Sequence, residues 1–310
     1  MAMTQQDSLQ KIKAAHPVDA DLFGDMGAVA AHLCDDLSNS FVGRQFEFME
    51  MGKYQAIAHS GQLSEVNRIY WREMLFRIYW AAALNLARHQ RWQAACVRAY
   101  TTPANLLSFA ASLRGLLEGA QDAWYSLNPV PLALGQNKSL IESALSGTMN
   151  DKASASPELE DRLIHFVYGR KIAKPERDLA PESHIAMDPK DYRDAISPPI
   201  RGEFKKLYDE LCGICHPTAF SLTFLWEGEG GLVRIKARED ESHIRRLCDQ
   251  YREAIAYALR LSVTMSALCL KALNWFSLAQ TRCAEIERWN FDDVPAWRKA
   301  EAAALGSLVN

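Results

Sequence analysis

The residues most able to do chemistry are concentrated in one short stretch, 208–217, with the sequence YDELCGICHP. Cys212, Cys215 and His216 fit the C-x-x-C-H pattern of covalent haem attachment. Attachment normally follows export, however, and the polar N-terminal residues carry no apolar export segment. We therefore expect no haem and no other cofactor.

The same three side chains could supply part of a zinc site, which needs four ligands and usually takes them as two close pairs. The nearest second pair is His243 and Cys248, whose spacing of five differs from the usual three or four. A thiol redox pair normally opens a helix, where the dipole lowers the thiol pKa, whereas these cysteines end one. The sequence favours inward-packed thiols at a helix end, with a zinc-stabilised module as an alternative.

A second polar feature lies in an otherwise apolar helical segment, in which Arg114 and Glu118 are four residues apart. This spacing places both side chains on one helix face, where they can pair. One interpretation is a structural ion pair at the rim of a helical bundle. The other is a polar binding pocket completed by Tyr208 and His216. Ion-pair networks often occur without any function, which favours the first interpretation.

The combination of an R-x-x-x-E helix with a later Y-x-x-L-C-x-x-x-H-P motif resembles a family of uncharacterised bacterial helical proteins related to HEPN-type domains. The matching residues are Arg114, Glu118, Tyr208, Leu211, His216 and Pro217. The resemblance covers the middle of the chain and implies a helical bundle. It also implies a bacterial stress or phage-defence setting, because many HEPN-type proteins act in such systems.

HEPN ribonucleases carry an R-x4-6-H motif, in which the histidine is the general acid and base and the arginine holds the scissile phosphate. Arg238 and His243 match this spacing formally. Three acidic residues, 239–241, lie between them and would repel a phosphate backbone. A metal-independent ribonuclease is therefore an alternative function, and an enzymatic role stays open.

Composition indicates a globular protein, because 48% of the 310 residues are hydrophobic and 24% are charged. The net charge of -3 argues against a nucleic-acid-binding protein that works through bulk electrostatics. The most apolar stretch, 256–276, contains Arg260 and Lys271, which argues against a membrane span. The seven cysteines and the absence of an export segment predict reduced thiols in the cytoplasm.

Apolar residues recur at helical spacing along most of the chain, which predicts an all-α bundle forming a single domain over 1–310. Exposed loops are expected near 146–156 and 174–188. Thr102 followed by Pro103 predicts a helix start. The stretch from 242 to 289 is predicted to be one long helix, kinked near 262–266.

Residues 221–236 are the exception, because two β-prone runs flank a glycine-rich turn and predict one small inserted β-hairpin. Alternation would place Leu222, Phe224 and Trp226 on one face, which we expect to cover the bundle.

The resulting functional hypothesis is a non-enzymatic or regulatory binding module, with another protein or a second copy of the chain as partner. A homo-oligomer is expected because long apolar helices often share a face between subunits.

Overall fold

The computed structural model describes residues 6–101, 103–194, 196, 198–229, 231–237 and 239–306. Its helices are α1 Gln6–Ala15, α2 Pro17–Phe41, α3 Met51–His59, α4 Leu63–Thr101, α5 Leu106–Leu127, α6 Val130–Gln136, α7 Lys138–Leu145, α8 Pro157–Tyr168, α9 Lys174–Arg177, α10 Pro189–Asp194, α11 Pro198–Cys215, α12 Ala219–Leu222, α13 Asp240–Gln250, α14 Arg252–Leu273 and α15 Pro295–Ala304. The strands are β1 Trp226–Glu229 and β2 Leu232–Ile235. The prediction of an all-α bundle with one small hairpin is therefore confirmed.

The centre of the bundle is formed by α4, α5 and α14, which pack on one another, while α2 and α11 pack against this group. Their buried apolar side chains form one continuous cluster. The helix α4 buries residues on nearly every face, including Trp71 and Tyr79. An apolar stripe this wide needs neighbours all round, which explains its central position.

The helix α14 is the one described helix that is long and apolar enough to cross a membrane, and most of its apolar stretch is buried inside the bundle. It accounts for the apolar run noted in the sequence. Its burial is that of a core helix packed on α4 and α5.

The linker between α7 and α8 is fastened to the bundle by one buried amide. Asn67 Nδ2 donates to the carbonyl oxygens of Met149 at 3.1 Å and Lys152 at 2.8 Å. The Asn67 side-chain oxygen accepts from the backbone N–H of Ser154 at 2.8 Å. Most side chains of the linker are exposed, yet its path is fixed by hydrogen bonds that a buried amide must make.

A second buried polar chain joins α4 to a kink in α2. Gly24 has φ 68, a left-handed conformation that breaks the regular helix. Gln93 Nε2 donates to Asp19 Oδ1 at 2.6 Å and to the carbonyl oxygen of Gly27 at 2.8 Å. The Gln93 oxygen is therefore left to accept from His89 Nε2, 3.0 Å away. His89 is then a neutral ring with the proton on Nε2.

The prediction of one helix from 242 to 289 is wrong in two places. Tyr251 has φ -115 and ψ 24, which separates α13 from α14, and its hydroxyl donates to Glu210 at 2.8 Å. Past Leu273, the Asn274 side chain bonds the backbone N–H and C=O of Cys283 at 2.9 and 2.8 Å. These side-chain-to-backbone bonds fold the chain into short 3-10 turns. The stretch 262–266 is continuous helix.

The start of α5 also differs from the prediction. Thr102 lies outside the described residues, and the helix begins at Leu106, three residues after Pro103. Asn105 is the N-cap, and its side-chain oxygen accepts from the backbone N–H of Ser108 at 2.9 Å. An asparagine cap competes well with a threonine cap, so both starts are compatible with the local sequence.

The hairpin is shorter than predicted and its expected orientation is wrong. Trp226 pairs with Ile235 in an antiparallel register, but residues 219–222 form the helical turn α12. In this turn the Ser221 hydroxyl donates to the carbonyl of Thr218 at 2.8 Å, a local bond that competes with an extended strand. Leu222 and Trp226 are 54% and 43% exposed, and of the three predicted residues Phe224 alone packs against the bundle.

The contact between α6 and α15 gives a first test of the packing. A Cβ on buried Gly135 would overlap the carbonyl oxygen of Ala300 and lie 3.2 Å from the Ala303 Cβ. We expect Gly135→Ala to destabilise the fold by about 1–3 kcal/mol because backbone must move. Gly202→Ala, at an exposed helical glycine with open space around it, should be neutral or stabilising by up to about 1 kcal/mol. Urea unfolding of both variants measures the change in the free energy of unfolding. Equal changes in the two variants would contradict the close packing at Gly135.

The buried His89 predicts a specific loss of stability in acid. Burial lowers the pKa of His89 from 6.5 to about 4, so between these values the unfolded chain takes up a proton that the folded chain refuses. Stability should therefore fall as pH drops from 6.5 to 4, by up to about 3 kcal/mol from this residue. The pH dependence of Tm should be shallower in His89→Gln than in wild type. His59→Gln, at an exposed histidine, should keep the wild-type slope.

Candidate functional site

The polar cluster predicted from the sequence is formed where α5 meets α11. Arg114 Nε lies 3.0 Å from Glu118 Oε1, and Tyr208 donates its hydroxyl to the same oxygen at 2.9 Å. The guanidinium carbon of Arg114 also lies 5.2 Å from the centre of the Tyr208 ring. Helical spacing on α5 aligns the first two residues, and the packing of α11 on α5 brings Tyr208 to them.

His216 completes this arrangement at the surface. Its Nε2 lies 3.5 Å from Arg114 Nη1, and the ring is exposed just after the end of α11. The side chains of Arg114 and Glu118 are 28% and 40% exposed, so water reaches the pair. All four residues of the predicted cluster therefore come together, in a shallow rim position.

Charge and burial set the protonation of this cluster. Burial raises the pKa of Tyr208 to about 12, and the hydrogen bond to Glu118 and its charge add to the effect. Burial opposes the charge on Arg114, but the bond to Glu118 and its charge outweigh burial and raise the pKa of the guanidinium. The phenol is therefore a fixed hydrogen-bond donor and Arg114 a fixed cation, which suits binding or structural support better than proton transfer.

The two thiols of the C-x-x-C motif lie half-buried on α11. Burial raises the pKa of the Cys215 thiol, and the nearby Arg114 offsets only part of that rise. A thiol with a raised pKa is a poor nucleophile and a poor metal ligand at neutral pH. No group of three or more His, Cys, Asp or Glu residues within the described part of the chain could hold a metal ion, and Cys212, Cys215 and His216 are among the residues searched.

Only His243 of the alternative ribonuclease pair can be placed, because Arg238 lies outside the described residues. His243 is 20% exposed and packs edge-on against Phe224 with ring centres 5.1 Å apart. Its Nε2 is buried, makes no hydrogen bond within the described residues and lies 3.9 Å from Glu239 Oε2. A covered ring beside a carboxylate gives this alternative no support, and it stays a prediction.

A half-buried ion pair that the sequence analysis missed joins α4 to α5. Arg88 Nη1 lies 2.7 Å from Asp122 Oδ2, and Arg88 Nη2 donates to Asn85 Oδ1 at 3.1 Å. Burial raises the pKa of Asp122 despite the neighbouring Arg88. The two residues are 34 positions apart on different helices, so no local spacing could have indicated the pair.

The exposed apolar surface around the hairpin was also missed. Seven large apolar side chains there are between 43% and 87% exposed, a set that we name the hairpin surface: Phe220, Leu222, Leu225, Trp226, Leu232, Val233 and Ile235. Val233 and Ile235 share one face of β2, with Trp226 opposite Ile235, whereas Leu232 lies on the other face. Isolated exposed apolar residues are common on proteins, whereas larger exposed apolar patches often mark interaction sites. The β-prone run 232–236 predicted a strand, but the sequence analysis used the alternation of 222–226 alone and predicted nothing about the exposure of the β2 side chains.

Comparisons of the chain with protein family models, with curated proteins and with solved structures found no match. The resemblance to HEPN-type proteins therefore rests on the short motifs around Arg114 and His216 alone and stays a prediction. The functional proposal is therefore based on the geometry and exposure of the described residues.

The shared acceptor Glu118 gives a direct test of the cluster. Glu118→Ala removes the acceptor of both Arg114 and Tyr208, and we expect a loss of about 1–2 kcal/mol, because water can replace part of what is lost. Lys205→Ala removes an i,i+4 pair with Asp209 on α11, whose members are 61% and 54% exposed, and should change stability by less than about 0.5 kcal/mol. Chemical denaturation compares the two variants. A loss of about 3–5 kcal/mol for Glu118→Ala would indicate a buried pocket instead.

Proposed function

We propose that this protein is a non-enzymatic binding module that recognises another protein through the hairpin surface. The main observation behind the proposal is that apolar side chains of paired residues on the two strands are exposed to solvent. Ile235, opposite Trp226, is 87% exposed, and Val233 is 71% exposed. An isolated two-stranded hairpin is only marginally stable in water, so a partner that covers this face would stabilise it.

The backbone of strand β2 can accept a further strand from a partner. Each strand of a two-stranded sheet keeps one edge of backbone N–H and C=O groups that no neighbouring strand uses. An extended segment of a partner can pair with such an edge, with backbone bonds providing affinity and alternate side chains providing specificity. Leu232, Val233 and Ile235 supply the apolar contacts along β2.

Charge favours a foreign acidic segment over a second copy of the chain. Arg234 lies within β2 and pairs with Glu227 across the hairpin. Lys236 follows β2 and forms no ion pair within the described residues, so its positive charge is uncompensated beside this edge. A second copy paired through β2 would place this basic strand against itself, and like charges across strands are destabilising. The proposed occupant is therefore an extended segment in which apolar and acidic residues alternate.

The proposed setting is the cytoplasm of a bacterium, in a stress or phage-defence system, as the resemblance to HEPN-type proteins implies. All seven cysteines are free thiols, which is compatible with a reducing compartment. The module needs no cofactor for this role, because shape, edge hydrogen bonds and charge are its means of recognition.

Labelled model peptides test the proposal by fluorescence anisotropy. A peptide of alternating valine and glutamate should bind the wild-type protein more tightly than a valine–lysine peptide of equal length. Ile235→Ala should weaken binding about tenfold, because it removes apolar area at the contact. Leu179→Ala is the matched control, since Leu179 is also 87% exposed but lies outside the hairpin surface.

Two results would contradict this assignment. One is equal binding of the acidic and basic peptides, or equal binding to Ile235→Ala and wild type. The other is a concentration-dependent dimer in sedimentation velocity that Ile235→Ala abolishes, which would make a second copy of the chain the occupant.

A further inference from the structure

A cavity of about 610 Å³ lies between α8 and the segment 177–191, on a part of the protein that the hairpin surface does not include. His165 and Tyr125 line it from the bundle side. A parallel bridge between Arg170 and Ile185 holds the outer segment in place.

His165 is the informative residue of this cavity. It is only 7% exposed, and its Nε2 lies 2.6 Å from the Tyr192 hydroxyl. Burial, with the nearby charge of Asp122, raises the pKa of Tyr192, so the phenol keeps its proton and can donate a hydrogen bond to Nε2. In the tautomer that accepts this bond on Nε2, His165 carries its proton on Nδ1. This second nitrogen makes no hydrogen bond within the described part of the chain, which leaves one donor available.

Exposed charged groups line the same cavity. Asp161, Glu182, Asp188 and Asp191 form no ion pair within the described residues, and the same holds for Arg177 on the outer segment. The four carboxylates can recognise a cation, while Arg177 and His165 can donate to an oxygen acceptor.

Arg162, the other arginine of the cavity, is engaged through its two terminal nitrogens, while its buried Nε makes no hydrogen bond within the described residues. Its Nη1 donates to the carbonyl oxygen of Tyr125 at 2.9 Å, and its Nη2 lies 3.4 Å from Glu158 Oε1. The free groups are therefore those of the outer segment together with Asp161 and His165.

We propose that this cavity is a binding site for a small amine that also carries a carboxylate, a molecule of the amino-acid class. Its ammonium group lies against the free carboxylates, and its carboxylate accepts from His165 Nδ1 and pairs with Arg177. Tyr192 is a positioning residue, because its hydrogen bond selects the tautomer that presents Nδ1–H.

Three probes with related carbon chains separate the parts of this site by isothermal titration calorimetry. Lysine carries amines and a carboxylate, 1,5-diaminopentane carries amines alone, and hexanoate carries a carboxylate alone. We expect lysine to bind most tightly, the diamine at least about tenfold more weakly and hexanoate not measurably, because a lost charge-assisted hydrogen bond is worth about that factor.

Two substitutions then assign the contacts. His165→Phe keeps a ring but removes the donor, so lysine affinity should fall about tenfold while diamine affinity stays unchanged. Glu182→Gln should weaken both amines, and Glu301→Gln, at an exposed acid of α15, should weaken neither. If His165→Phe unfolds, Tyr192→Phe with Glu182→Gln gives the same comparison, because Tyr192→Phe should weaken lysine alone.

Three outcomes would overturn the proposal. They are no binding of lysine to the wild-type protein, equal affinities for lysine and hexanoate, or a lysine affinity that Glu182→Gln and the His165 or Tyr192 variant leave unchanged.

Discussion

A helix of 39 residues that is buried along most of its length must satisfy its polar side chains inside the protein, and this constraint on α4 organises the fold. Asn67 fixes the linker after α7, and Gln93 fixes the kinked α2. Asn85, between them, donates to Ser262 and Ser266 of α14 at 3.0 and 2.9 Å. The linker, α2 and α14 are therefore each placed against α4 by a specific hydrogen bond as well as by apolar packing, which favours a single arrangement.

The helical content could be predicted because apolar periodicity reports burial directly, and burial of amphipathic faces stabilises most helices. The break at Tyr251 could not be predicted in this way. The residues on both sides of it keep the helical period, and the break depends on a hydroxyl reaching Glu210, 41 positions earlier in the chain. The same holds for Asn274, whose bonds to Cys283 end α14 where the apolar pattern continues.

The candidate sites also differ in whether local sequence spacing could predict them. The contact between Arg114 and Glu118 could be predicted from the sequence, because residues four apart on one helix are neighbours. The motif around Tyr208 suggested the third member of the cluster. His165 and Tyr192 were not accessible, because an irregular segment separates them and only the packing of α8 brings them to 2.6 Å. Spacing within a helix predicts a pair, whereas pairs between helices require the fold.

The hairpin stands outside the hydrogen-bonding scheme of α4. Its strands pair only with each other within the described residues, Glu227 pairs with Arg234 across them, and the Lys236 N–H donates to the carbonyl of Leu225 at 2.9 Å. Substitutions at its exposed apolar positions remove contacts with solvent and leave the core packing unchanged, so their effect on stability should be small. Binding and folding can therefore be separated at Ile235, which is not possible at Asn67 or Asn85. A surface that contributes little to the stability of its own chain yet exposes apolar side chains supports the proposed role in recognition.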